Sequence, residues 1–290
     1  MKKSINIIGC GQAAGSLARL WVQAGTVSIG GILNRSDEST RSAVRRVGAG
    51  TAVSSIAEMG QADYWLIGTT DSQVQPVATA LHSSGLNLEG ALVFHLAGRF
   101  GLDVLAPLDD RNTLLAALHP VRSLTSSGLS IEGFTGTACV AEGADQALAA
   151  LQPLVTSIGG TWLPVAEIDR GLYHASVSII SNITKAVAWK AQKWQRKAGL
   201  PEATAAAVTY QLLASTMEDL FRSGARQSIT GPVVRGDTST IEAHIEAIRA
   251  SHPEDVEVYC VLARTVLELA QDRGDLDEST LRRFEALFRS

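Results

Sequence analysis

The stretch that most constrains this chain is residues 5–15, INIIGCGQAAG. A short apolar run leads into two glycines and then into small, helix-favouring residues. Gly9, Gly11 and Ala14 stand in the spacing G-x-G-x-x-G/A, with Gly15 next. In a strand–turn–helix each of these positions has a physical task. Gly9 permits the tight turn, Gly11 lets the backbone approach a diphosphate, and the small Ala14 lets the helix pack on the strand. The N–H groups that open the helix, at Gln12 and Ala13, then face the phosphate charge. A dinucleotide site is expected here, and the competing reading is a tight strand–helix turn with no ligand.

The residues that follow keep to the same plan. Strand-like runs alternate with helical ones through about residue 165: SINIIG, VSIGGILN, DYWLIGTT, ALVFHLAG, TLLAALHP, GTACVAEG and GTWLPVA, with helices at 12–24, 37–47, 71–82 and 144–158. That alternation predicts an α/β domain with a parallel sheet. The second strand ends in ILNRSDEST, where a site for NAD usually offers an acid to the ribose. Here Asn34, Arg35 and Ser36 occupy the position. An arginine and a hydroxyl suit a 2′-phosphate, so NADP (NADPH) is expected. Asp37 leaves the other choice open, because a small shift in register would set a carboxylate beside the ribose. Thr69, Thr70 and Asp71 end another strand and are expected beneath the cofactor, although Asp71 also reads as a helix N-cap. His95 with Gly98, and His119, close two further strands. Strand carboxyl ends line the crevice in such sheets.

The 290 residues suffice for two domains, and 46% hydrophobic with 19% charged residues is an ordinary globular balance. A net charge of -4 without a basic block argues against a nucleic-acid surface. No run approaches the ~18 apolar residues of a membrane span. The apolar run after Lys2 and Lys3 is too short and too glycine-rich for a secretion signal. Cys10, Cys139 and Cys260 lie far apart without metal-ligand spacing, so no metal is expected. They read as reduced, buried thiols of a cytoplasmic protein.

After Ala166 the pattern turns helical, which sets the expected domains at 1–166 and 167–290. One long helix is predicted over 169–198, and others over 201–223, 238–251, 254–273 and 277–288. At 100° per residue, Leu172, Ile179, Ile183 and Val187 share one side of the first. His174, Ser178, Ser181, Asn182 and Lys185 share the opposite side. A solvated face is usually rich in long charged residues, and this one is mostly short and neutral, which suits a cleft or a close helix contact. His174 or Lys185 is the candidate proton donor, with Ser178 and Asn182 as orienting groups. The stretch SITGPVVRGDTST interrupts the helices. Gly231-Pro232 should stop one, and Asp237 or Thr238 should cap the next. Arg235 remains unexplained by punctuation. Its guanidinium suits an anionic substrate, with Asp237 placed to fix its fork. The Ala-rich helices carry more apolar surface than one short bundle buries, so a homodimer is expected.

Taken in order, the G-x-G-x-x-A turn, HLAG, LHPVRSL, YHASVSIISN and TGPVVRGD resemble a family of Rossmann-like oxidoreductases with a helical carboxyl-terminal domain of unknown function. The resemblance covers most of the chain. It relates the protein to ketopantoate reductases, pyrroline-5-carboxylate reductases and the 6-phosphogluconate dehydrogenase-like superfamily. It implies an NADPH-dependent reductase of a small carbonyl, such as a 2-oxo acid, or of an imine. A non-catalytic NADP-binding sensor is the rival. Ketopantoate-type reductases often carry a lysine and an asparagine one turn apart on the first long helix. Asn182 fits the asparagine, but Ser178 stands where the lysine would be.

Overall fold

The computed structural model describes residues 2–122 and 130–289, apart from the side chains of residues 110 and 111. The last two residues of the LHPVRSL run lie outside them. The chain forms two compact units, Met1–Ser181 and Asn182–Ser290.

The first unit is built on one eight-stranded sheet: β1 (Ser4–Ile8), β2 (Ser28–Leu33), β3 (Thr51–Ala52), β4 (Tyr64–Ile67), β5 (Leu92–His95), β6 (Leu114–Pro120), β7 (Ala138–Gly143) and β8 (Thr161–Pro164). Their spatial order is β3-β2-β1-β4-β5-β6-β7-β8. The expected parallel sheet is corrected at one place, since β7 runs antiparallel to β6, with His119 opposite Val140. A parallel return would need a crossover on the sheet face. Among the described residues the link instead includes only the short helix α4 (Ile131–Phe134). The two-residue strand β3 is too short to give a sequence signal.

Helices α1 (Gln12–Ala24), α2 (Asp37–Val47), α3 (Val74–Ser83) and α5 (Asp145–Thr156) complete the layers. On one sheet face Ile5, Ile7, Leu66, Phe94 and Leu118 pack beneath Leu17, Trp21 and Leu151. Trp21 also donates its indole N–H to the Leu154 carbonyl at 2.7 Å, which joins α1 to α5. On the other face Ile8, Trp65, Ile67 and Val93 meet Val74, Ala78 and Leu81 of α3. Both faces are apolar, as a parallel sheet covered twice requires. All three cysteines are free and buried.

The predicted helix over 169–198 is present, but it is not α-helical throughout. Asp169 caps α6 (Arg170–Ser178) by accepting the Leu172 N–H at 2.9 Å. A π-helical turn, Ile179–Ile183, separates it from α7 (Thr184–Lys197). A π turn adds a residue to the cycle, so a 100° wheel carried across it loses register. The side predicted to be apolar is not buried in this chain. Leu172, Ile179, Ile183 and Val187 are all exposed, and Ile180 is 75% exposed.

In the second unit α8 (Glu202–Ser228) runs past its expected end at Ser223, through a non-helical Gly224 at φ 73°. Pro201 is its N-cap, one residue outside the helix. Helices α9 (Thr238–Ser251), α10 (Val256–Arg273) and α11 (Glu278–Leu287) surround Val233, Ile241, Cys260, Leu267, Phe284 and Phe288. Buried Asp255 accepts from Lys190 Nζ at 2.5 Å and Trp194 Nε1 at 2.9 Å, which ties α7 to the start of α10. Many large apolar side chains of this unit face outward, among them Trp189, Tyr210, Leu212 and Phe221. No helix among the described residues is long and apolar enough to cross a membrane.

Candidate functional site

Strands β2, β1 and β4 end side by side, and the glycine turn occupies the notch between them. Gly9 sits at φ +86°, and a Cβ there would lie 2.6 Å from the Thr69 backbone nitrogen. Gly68 is equally confined, because its Cβ would come 2.5 Å from that of Ala14. Ala14 is fully buried. Its size therefore lets α1 settle against the end of β4. A Cβ on Gly11 would meet nothing within 4 Å, so this glycine borders open space.

That space is a groove of about 640 Å³. Of the predicted cofactor residues, Gly9, Gly11, Asn34, Arg35, Ser36, Thr69 and Thr70 line it. Gln12, Ala13, Ala14, Asp71, Gly98 and His119 are not on its wall. Asn34 has a structural task that its position alone does not reveal. Its Oδ1 accepts the Cys10 N–H at 2.6 Å, and its Nδ2 donates to the Ser39 carbonyl at 3.0 Å, so it fastens the glycine turn to α2. Ser36 is the N-cap of α2 in a reciprocal pair with Ser39. Arg35 is exposed on the rim and makes no ion pair among the described residues. Asp37 is not on the wall and lies 4.0 Å from Arg41 within its own helix. Asp71 does not cap α3; it opens a 3-10 turn whose cap position, Thr70, makes no side-chain bond.

Three features fit a dinucleotide. Helix α1 starts at Gly11 with neither a side-chain cap nor an acid in its first turn, leaving its N–H groups for an anion. Gly11 leaves the approach open. Thr69 Oγ1 is buried yet has no hydrogen-bond partner among the described residues, a costly arrangement unless a ligand supplies one.

A second cluster lies at the ends of β5 and β6. His95 is fully buried. Its Nδ1 accepts the Ala97 N–H at 3.1 Å and its Nε2 bonds the Gly101 carbonyl at 2.8 Å, so it holds the loop after β5. Burial pushes its pKa down, in keeping with a neutral ring. Just beyond it, the absent side chain of Gly98 leaves room for two imidazoles. A Cβ there would lie 2.8 Å from His174 Nδ1 and 2.9 Å from His119 Nε2. His119 Nδ1 is 2.8 Å from Tyr173 Oη. Burial first, then the charges of His174 and Arg170, press the His119 pKa down to about 4. Behind Tyr173, Arg170 is buried against Glu142, with Nε to Oε2 at 2.7 Å and Nη2 to Oε2 at 2.6 Å. Arg170 Nη1 is buried without a partner among the described residues. The Arg170 guanidinium carbon is 5.8 Å from the centre of the Tyr173 ring.

Sequence reasoning missed Tyr173, Arg170 and Glu142. The one available signal was a buried-type position, in strand β7, filled by a glutamate. Of the predicted substrate residues, His174 joins this cluster, and Ser178, half-buried, ends the same helix. Asn182, Lys185 and Arg235 belong to the helical unit and are exposed there. Asp237 does not fix Arg235. Its carboxylate caps α9 through Thr240 N–H at 3.0 Å and also accepts from the Ser239 and Thr240 hydroxyls, which hold its pKa down to about 2.

The sequence matches a Rossmann-like domain over residues 1–120 and a domain of unknown function, DUF2520, over residues 137–266. Comparison with curated proteins finds no match. Among solved structures, the chain is similar to a candidate NADP oxidoreductase from Bacteroides fragilis, with 19% identity, TM-score 0.70, and 92% of this chain and 98% of that one covered. It is also similar to an imine reductase from Myxococcus stipitatus in complex with NADP+, at 11% identity, TM-score 0.63 and 97% and 99% coverage. A pyrroline carboxylate reductase from Plasmodium falciparum with NADP bound aligns at 12% identity, TM-score 0.59 and 99% of both chains. The chain is thus a Rossmann-like domain followed by a DUF2520 domain.

Proposed function

We infer that the protein is an NADPH-dependent reductase of a small carbonyl or imine. The observation that carries this reading is the groove at Gly9 and Gly11, with an uncapped helix at its floor and Arg35 on its rim. A dinucleotide's diphosphate would rest against the first turn of α1, with Arg35 and Ser36 toward a 2′-phosphate. Thr69 and Thr70 would lie beneath the ribose nearer the nicotinamide. The strand order β2-β1-β4-β5-β6 supplies the track. A cofactor laid along it from Arg35 ends at Gly98 and His119.

The nicotinamide supplies hydride when bound. The chain's own groups orient the substrate and deliver a proton to its developing charge. His119 and His174 at Gly98 hold the proton-bearing nitrogens, with Ser178 as an orienting hydroxyl further along the helix. A 2-oxo acid such as ketopantoate is one substrate class. The resemblance to proteins described as pyrroline carboxylate and imine reductases favours a cyclic imine as the other. A homodimer formed through the helical unit would cover the apolar side chains it exposes. The functional test is NADPH oxidation followed by absorbance, with ketopantoate, other 2-oxo acids and cyclic imines. Turnover of one class supports the reading. NADPH binding without oxidation across both classes favours a sensor.

A further inference from the structure

The geometry points to a two-proton relay from Tyr173 through His119 to the substrate at Gly98. Tyr173 Oη meets one ring nitrogen of His119 at 2.8 Å. The other, Nε2, lies against Gly98, 2.9 Å from where a Cβ would stand. Tyr173's charged neighbour is Arg170, which offers only N–H groups. Among the described residues the phenol's proton therefore has Nδ1 as its acceptor. A neutral ring accepting at Nδ1 carries its own proton on Nε2, directed toward Gly98.

This arrangement resolves a chemical difficulty. Burial and the charges around it, His174 and Arg170 from α6 against Asp71 from the turn after β4, keep His119 neutral at ordinary pH. An imidazolium is not available there to act as the acid. The relay needs none. As hydride adds, the Nε2–H bond breaks and an O–H or N–H bond forms on the former carbonyl oxygen or imine nitrogen. The Tyr173 O–H bond breaks and an Nδ1–H bond forms on the same ring. The negative charge passes to the Tyr173 phenolate, beside the Arg170 guanidinium that Glu142 holds in place. The Nδ1 proton then returns to the Tyr173 oxygen, and Nε2 takes one proton from water, which restores the starting tautomer.

The inference rests on the reductase reading, but its first test does not need a substrate. In ¹⁵N-histidine-labelled protein, NMR should place His119 in the Nε2–H tautomer. In Tyr173→Phe that bias should weaken while the other histidine signals hold still. Finding His119 as the Nδ1–H tautomer in the wild type overturns the relay, whatever the enzyme reduces. In the oxidation assay, with the 2-oxo acid or cyclic imine that the wild type turns over best, Tyr173→Phe should lower kcat by about 100-fold. NADPH affinity should be unchanged, and a curved proton inventory should become linear. Full kcat in Tyr173→Phe overturns the relay and leaves the reductase reading intact. Absence of any turnover by the wild type removes the reductase reading, and the tautomer still decides the geometry.

Discussion

Replacing each of two glycines in the same turn with alanine should separate fold from function. At Gly9, an alanine must hold φ near +86°, which costs an L-residue roughly 1–2 kcal/mol. Its Cβ would also stand 2.6 Å from both the backbone nitrogen and Cγ2 of Thr69. Backbone cannot swing aside as a flexible side chain does, and such overpacking costs about 1–3 kcal/mol. Gly9→Ala should therefore destabilise the protein by about 2–5 kcal/mol, a large part of a domain's usual ~5–15. Gly11 has φ -75° and no atom within 4 Å of a Cβ, so Gly11→Ala should change stability by less than about 0.5 kcal/mol. Its methyl would stand where a diphosphate must approach, and NADPH affinity should fall at least about tenfold, or ~1.4 kcal/mol. Urea unfolding monitored by circular dichroism gives the first quantity, and calorimetric titration the second. A Gly9→Ala protein as stable as wild type would refute the steric argument. Unchanged NADPH binding by Gly11→Ala would refute the placement of the diphosphate.

Other consequences are open to measurement. Glu142→Gln leaves Arg170 buried against a neutral partner, and should cost about 3–5 kcal/mol in urea unfolding; a loss under about 1 kcal/mol would show the pair to be dispensable. His95 and His119 both have folded pKa values below the ordinary 6.5. The unfolded chain thus binds more protons below pH ~6.5, and stability should fall as pH drops from there toward about 4; His119→Asn should flatten part of that slope. Sedimentation at micromolar concentration should give a dimer, and Phe221→Glu with Leu212→Glu should shift it toward monomer; a wild-type monomer would contradict the assembly.

Much of the first unit was legible because its signals are local. The glycine spacing, the strand-length apolar runs and the Arg35 position each depend on a few consecutive residues, and β1, α1, β2 and α2 lie where they predict. The rest depended on partners distant in sequence. Nothing near Asn34 reveals that its amide fastens Cys10. Nothing near Tyr173 reveals His119, which arrives from another strand. The wheel of the long helix failed for a different reason. It assumed a constant 100° step, and the π turn at Ile179–Ile183 breaks that step between Ser178 and Lys185. Glutamate at position 142 stands out only as a charge in a strand, and nothing near it points to arginine 170; only the fold buries them together.

The most direct test of the central claim is an equilibrium titration of the protein with NADPH and with NADH, followed by nicotinamide fluorescence. Arg35 and Ser36 on the rim of the groove should give a charge-assisted contact to the 2′-phosphate, worth on the order of 1.5–3 kcal/mol. The account predicts NADPH binding at least about tenfold tighter than NADH, with Arg35→Ala removing most of the difference. Equal affinities for the two cofactors, or no binding of either, would contradict it.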